Sequence, residues 1–314
     1  MKREGLDLNL LIVLDHLAVE GTVSQAAVKL GVTQSAVSNA LRRLRTHFGD
    51  SLFIPVAGRM EPTALAAILI DRIHTVQGEL TEIAELRATF DPARSDRSFT
   101  VVTSDYVYLV LLAEAVRRLR KVAPGLSLKA ILVSEHTPEL LRQGRADFVI
   151  MPGQLLVDDH PSEPLFDDGY VCVVWSENSK VGEVLSHADY MSLGHVGSSM
   201  GNPHLVHLGE EVVERAGFER KIAAYAPTFT LVADTVVGTD LVATMHRRAA
   251  EIQAQRLPLR ILPTPKRFKR VTEMLQWHRR KNDDPAITWM RGFLRETAAT
   301  LDAPRPSHSS PQET

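Results

Sequence analysis

The sequence is poor in the residues on which several chemistries depend. It has one cysteine, Cys172, so no intramolecular disulfide can form, and a thiol set in the β-branched run YVCVVW reads as core packing. No apolar run approaches the length of a membrane span, and the opening MKREGLDLNL carries charges where a secretory signal has an apolar core. A cytoplasmic protein with no membrane partner is expected. Neither sign of charge dominates: the formal net charge is -2, so the whole chain is no electrostatic glue for nucleic acid. Among the twelve histidines, His195, His204, His207 and His246 show no metal-ligand spacing, while Asp167-Asp168 and Asp283-Asp284 read as turn residues. P-loop, GxSxG and GxGxxG contexts are missing as well. These deficits argue against an enzyme, and neither a cofactor nor a metal is expected.

What is present is unevenly distributed. The 314 residues suffice for two or three domains of ordinary globular composition. Between Lys29 and Arg59 there are five basic residues against a single acid, Asp50. Within that stretch, QSAVSNALRRLR on a 3.6-residue period gathers Ala36, Val37, Ala40, Leu41 and Leu44 on one face. Ser35, Ser38, Asn39 and Arg42 line the other. An ordinary solvated helix shows the same pattern, so the neighbours decide. Leu6, Leu10, Leu14 and Leu17 predict a first helix ending near Gly21. Thr22 or Ser24 caps a second, SQAAVKL, which stops at Gly31, and Thr33 is a suitable N-cap for the third. Small Ala27 at the crossing and Val37 as the plug complete a helix-turn-helix, and LFIPVAGRMEPT folds around Ala57-Gly58 as a hairpin wing.

From Thr63 to about Leu86, Leu65, Leu69, Ile73 or Arg72, Val76, Leu80 and Ile83 form a seam on a long helix. Too little neighbouring sequence is at hand to cover it, so a second copy is the expected partner, with a buried interdomain helix as the alternative. DPARSDR reads as a hinge. Beyond it FTVVTS, LSLKAILV and DFVIMP alternate with helical runs, and a second set, YVCVVW, LGHVGS and LVATM, is arranged around the helical PHLVHLGEEVVERAG. TEMLQWH and a last helix return to the first set. The expected result is two α/β lobes of parallel strands around a cleft.

With these parts in this order, the chain resembles the LysR-type transcriptional regulators. The resemblance is carried by AAVKLGVTQSAVSNALRRLR, Leu52-Phe53, and Glu61 to Thr63. DLNLL, FDP and GHV point to the branch of nodulation and salicylate-responsive regulators. The implied fold class is α+β and α/β: a winged helix-turn-helix over 1–63, a dimerisation helix over 64–88, and a hinge over 89–97. A two-lobed effector domain like the periplasmic binding proteins occupies 98–302, with lobe 1 at 98–166 and 268–302 and lobe 2 at 167–267. Residues 303–314 are a Pro/Ser-rich tail.

The implied partners are a double-stranded promoter dyad, a small aromatic carboxylate or phenolic inducer, a second copy or dimer of dimers, and RNA polymerase. Thr33, Gln34, Ser35, Ser38, Asn39, Arg42 and Arg43 are the candidates for DNA. Arg59 joins them, because Pro55 stands where the family often has a basic residue. Strand ends and helix starts bind ligands in α/β sheets, which nominates Thr103, Ser104, Ser134 and Ser198. Each can equally be a helix cap. His204 and Arg248 match polar positions of the salicylate-responsive branch, and Phe229 is counted with them. A regulator without an effector, a solute-binding protein and a two-lobed enzyme are the alternatives.

Overall fold

The computed structural model describes residues 2–3, 6–85, 89–199, 213 and 217–301, which divide into two compact units at Leu86. In the first unit a short ladder of β1 (Lys2–Arg3) and β2 (Leu6–Asp7) precedes a 3-10 turn over Leu8–Leu11. The expected helix at Leu6 therefore starts late. Asp7 accepts from the Asn9 N–H and caps that turn, which leaves α1 only Ile12–Glu20. Thr22, not Ser24, caps α2 (Val23–Leu30), with the Gln25 side chain completing a reciprocal capping pair. Gly31 takes a φ of 65°, which lets the chain turn at once into α3 (Gln34–Phe48).

Val13, Ala27, Val37 and Ala40 form one small core, while Leu14, Leu17, Leu41, Leu44 and Phe53 form the next. Ala36, expected on the buried face, is exposed. It lies in the first turn of α3, ahead of the point where the helices cross. The wing is β3 (Phe53–Val56) and β4 (Arg59–Pro62), joined by Ala57 and Gly58, both at positive φ as a two-residue hairpin turn requires.

The helix α4 (Ala64–Glu85) corrects the expectation of a seam reserved for a partner. Its first half, Leu65, Leu69 and Ile73, packs on the chain's own helix-turn-helix core. His74 adds a 2.6 Å bond to Asp15 of α1. Only the second half, Val76 and Leu80, is exposed, as is Ile68 beside it.

The second unit has two five-stranded sheets. In the first, β5 (Ser98–Thr103) lies between parallel β6 (Ser127–Leu132) and β7 (Phe148–Pro152). Then β14 (Val271–Trp277) returns antiparallel between β7 and β8 (Ser162–Asp168). In the second, β10 (Gly194–Ser198) pairs parallel with β11 (Lys221–Ala226) and β12 (Val242–His246), and β9 (Tyr170–Trp175) runs antiparallel to both β12 and β13 (Leu259–Leu262). Both sheets are therefore mixed, not all parallel, because the chain crosses between lobes twice and each return strand enters reversed.

The segment expected as a hinge is fastened to the effector domain. Phe90 lies 5.6 Å from Trp289, and Arg97 pairs with Asp284 at 2.9 Å. Gly125 leaves no room for a side chain: a Cβ there would sit 2.5 Å from the Ser95 carbonyl oxygen. The helix expected over PHLVHLGEEVVERAG lies, apart from Val213 and Gly217, outside the described residues. So does the tail.

Candidate nucleic-acid interface and effector cleft

On α3, Val37, Ala40, Leu41 and Leu44 are buried while Gln34, Ser35, Ser38, Asn39, Arg42 and Arg43 are all exposed on the other side. The helix thus presents amide, hydroxyl and guanidinium groups of base-edge length on one face. Thr33 is spent locally: its hydroxyl accepts the Ala36 N–H and pairs with Ser35. Arg42 donates to the side-chain amide oxygen of Asn39, so the two side chains act as one oriented unit. Arg45 is not part of the polar face, because it donates to the Ser51 and Phe53 carbonyls and ties α3 to the wing. Arg59 is exposed, and its guanidinium lies against Gly21, where the carbonyl end of α1 favours a cation.

In the second unit a cleft of about 550 Å³ opens between the lobes, lined by the ends of strands from both sheets. Short α5 (Asp105–Val107), which passes through a π turn into α6 (Ala113–Val122), supplies Tyr106, while α7 (Thr137–Arg142) and α8 (His187–Ser192) line none of it. Tyr106 stacks on His246 at 3.9 Å, and Tyr170 and Phe229 close the aromatic wall around the same imidazole at 4.9 and 5.4 Å. Asp105 reaches across to cap α9 (Phe229–Val236), accepting from the Phe229 and Thr230 N–H groups at 3.1 and 2.7 Å.

Two acids sit beneath the aromatics. Asp168 accepts from the Tyr106 hydroxyl at 2.8 Å and from the Gly169 and Arg248 backbone N–H groups. Those donors favour its charged form, although burial pushes its pKa up. Glu273 is 2% exposed, and its Oε2 has no partner among the described residues. Burial, reinforced by the Asp168 charge, pushes its carboxyl up to about 8. Near neutral pH Glu273 keeps its proton. His246 is held neutral by burial, its pKa lowered to about 3, and its Nδ1 is likewise without a partner among the described residues. Lys266, Arg267, Lys269 and Arg270, all exposed, form a basic rim.

Of the effector candidates, Ser104 and Phe229 line this cleft, and the Ser104 hydroxyl also caps α5. Thr103 is buried and donates to the Ile150 carbonyl, bracing β5 against β7. Ser134 accepts the His136 N–H in a turn, and buried Ser198 ends β10; neither lines the cleft. Arg248 turns elsewhere, donating to the Leu301 and Asp167 carbonyls. His204 lies outside the described residues. Tyr106, Tyr170, His246 and Glu273 escaped the sequence reading. His246 ends a strand just as Thr103 does, and Glu273 shares the strand face of buried Val271, Leu275 and Trp277, so both carry a signal.

Comparison with known proteins agrees with this architecture. Residues 8–67 match the bacterial regulatory helix-turn-helix protein, lysR family, and residues 93–299 match the LysR substrate binding domain. Nodulation protein D 1 of Rhizobium meliloti is 37% identical over 306 residues, covering 96% of this chain and 98% of its own length. Nodulation protein D 2 of Rhizobium tropici is 36% identical over 305 residues, 97% of each chain. Among solved structures, one described as a probable transcriptional regulator, PA0477 of Pseudomonas aeruginosa, superposes with a TM-score of 0.68 at 29% identity, over 93% of this chain and 97% of that one.

Proposed function

The chain belongs to the LysR family of transcriptional regulators, not to an enzyme family, and on that premise we propose that it binds an interrupted dyad in promoter DNA through α3. The supporting observation is the exposed polar face from Gln34 to Arg43 opposite buried Val37, Ala40, Leu41 and Leu44. Gln34, Ser35, Ser38 and Asn39 meet base edges in the major groove, and Arg42, Arg43 and Arg59 meet guanine edges or phosphates. A second copy, paired through Val76 and Leu80, supplies the other half-site. The complex works in the cytoplasm, where it engages RNA polymerase. Gel-shift titration at fixed salt tests the DNA assignment. Asn39→Ala relaxes the preference between cognate and altered sites, and Arg42→Ala weakens binding by about 1–3 kcal/mol. Unchanged affinity and selectivity in both folded variants would refute it.

The effector is an aromatic molecule whose hydroxyl reaches Glu273 and His246. This reading is supported by two buried polar atoms, without partners among the described residues, behind an aromatic wall. A protonated Glu273 donates to a phenolic oxygen and the neutral imidazole accepts or donates in turn, whereas a carboxylate driven to the same depth meets the desolvation that already holds the proton on Glu273. The basic rim favours a second reading, an aromatic carboxylate lying nearer the mouth. Thermal-shift titration with benzoates and with phenols of the same skeleton separates the two, since a ligand of the folded state raises Tm by mass action. If neither series raises Tm, the regulator works without such an effector.

A further inference from the structure

Arg248, absent from the effector cleft, leads to a second hollow of about 630 Å³. Both chain crossings between the lobes border it: Asp168 to Tyr170 on the way out, and part of the stretch from Thr264 to Arg270 on the return. Its remaining walls are α10 (Arg247–Gln253) and Leu301, at the end of the last helix, α11 (Pro285–Ala299), and its short exit.

Four guanidinium groups, Arg247, Arg248, Arg267 and Arg270, face two carboxylates there. Asp168 is already occupied by the Tyr106 hydroxyl and by backbone N–H groups. Glu251 reaches Arg247 at only 3.9 Å, with both side chains more than half exposed, a pairing that contributes little. Arg267 and Arg270 are both exposed. Cations gathered around a concavity focus a positive potential, and guanidinium forks match carboxylate and phosphate oxygens two at a time.

We propose that this hollow binds a small multivalent anion, a di- or tricarboxylate or a phosphate compound, which bridges Arg247 of the second lobe to Arg270 of the return crossing. Held there, the anion fixes the two crossings relative to each other and so favours one arrangement of the lobes. Its occupancy is thereby coupled to that of the effector cleft, which shares Arg267 and Arg270. The site itself does not depend on which effector the cleft takes.

The test is calorimetric titration of the full chain with citrate and, separately, with inorganic phosphate, at an ionic strength held constant with sodium chloride. Saturable binding of either anion is expected, citrate alone marking a carboxylate site and phosphate alone a phosphate site. Arg247→Ala and Arg270→Ala each weaken it by about tenfold. Arg117→Ala, which removes an exposed arginine of α6 outside the hollow, retains it, and because neither citrate nor phosphate is aromatic the result is separate from any failure of the effector reading. A response that never saturates, or equal affinity in wild type and in the Arg247→Ala/Arg270→Ala double variant, overturns the proposal. Both arginines are exposed, and native circular dichroism with an undiminished Tm in chloride establishes that the variants are folded.

Discussion

Replacing Glu273 by Gln tests the charge assignment at the floor of the effector cleft without changing its shape. In the folded protein the carboxyl holds its proton up to about pH 8, whereas an unfolded glutamate releases it near 4.5. Between those values the folded state binds the extra proton, so the stability contributed by this group is complete below about 4.5 and is lost as pH rises through 8. One proton held differentially is worth ~1.4 kcal/mol per pH unit, so from pH 6 to pH 8 the wild type loses roughly 2 kcal/mol through this residue alone. Glutamine mimics the protonated acid at every pH, and the variant loses none of it. The assay is urea unfolding followed by tryptophan fluorescence, which reports on the effector domain only, since Trp175, Trp277 and Trp289 all lie there. The difference in unfolding free energy between variant and wild type should grow in favour of the variant as pH rises. A difference that stays constant from pH 6 to pH 8.5 would show that Glu273 is charged throughout, and the case for a hydroxyl-bearing guest would go with it.

Three further outcomes are expected. His246→Gln should flatten the acid limb of the same stability curve: the buried neutral imidazole contributes stability that is present above about pH 6.5 and lost as pH falls towards 3, so its removal spares the protein that loss between pH 6 and pH 4 in urea titrations. Gly125→Ala forces a methyl against the Ser95 carbonyl and should lower the stability of the effector domain by about 1–3 kcal/mol, read as an earlier urea midpoint by tryptophan fluorescence. Val76→Asp with Leu80→Asp should shift the sedimentation profile to a smaller species while circular dichroism stays native, because both side chains are exposed within the chain itself. Leu69→Asp is a poorer probe, since Leu69 packs on its own domain's core.

The parts that were legible in the sequence are those whose signals are local. Thr33, Gly31 and Ala57-Gly58 fix two caps and a turn within a few residues of themselves, and α3 and the wing are set by them. The three strands of the second unit that the sequence reading does not mark, β8, β11 and β13, are all at sheet edges. Edge strands keep one side open, so burial along KIAAYA alternates and LRIL is mostly half-buried, where central YVCVVW is a β-branched run buried almost throughout. The same reasoning explains the split between the two sites. Base reading needs polar groups exposed on a regular helix, and such a face shows in the spacing of one short segment. The effector cleft needs polar groups that water does not reach, and each of them is disguised as core: Tyr106 comes just after a strand, His246 ends another, and Glu273 occupies a buried position of a third. Only the two crossings of the chain bring them together. That assembly has an energetic signature, because a buried carboxyl oxygen left without a donor destabilises a fold by a few kcal/mol unless something else satisfies it. An acid sharing the buried face of β14 with Val271, Leu275 and Trp277 is therefore the position we propose for contact with the effector.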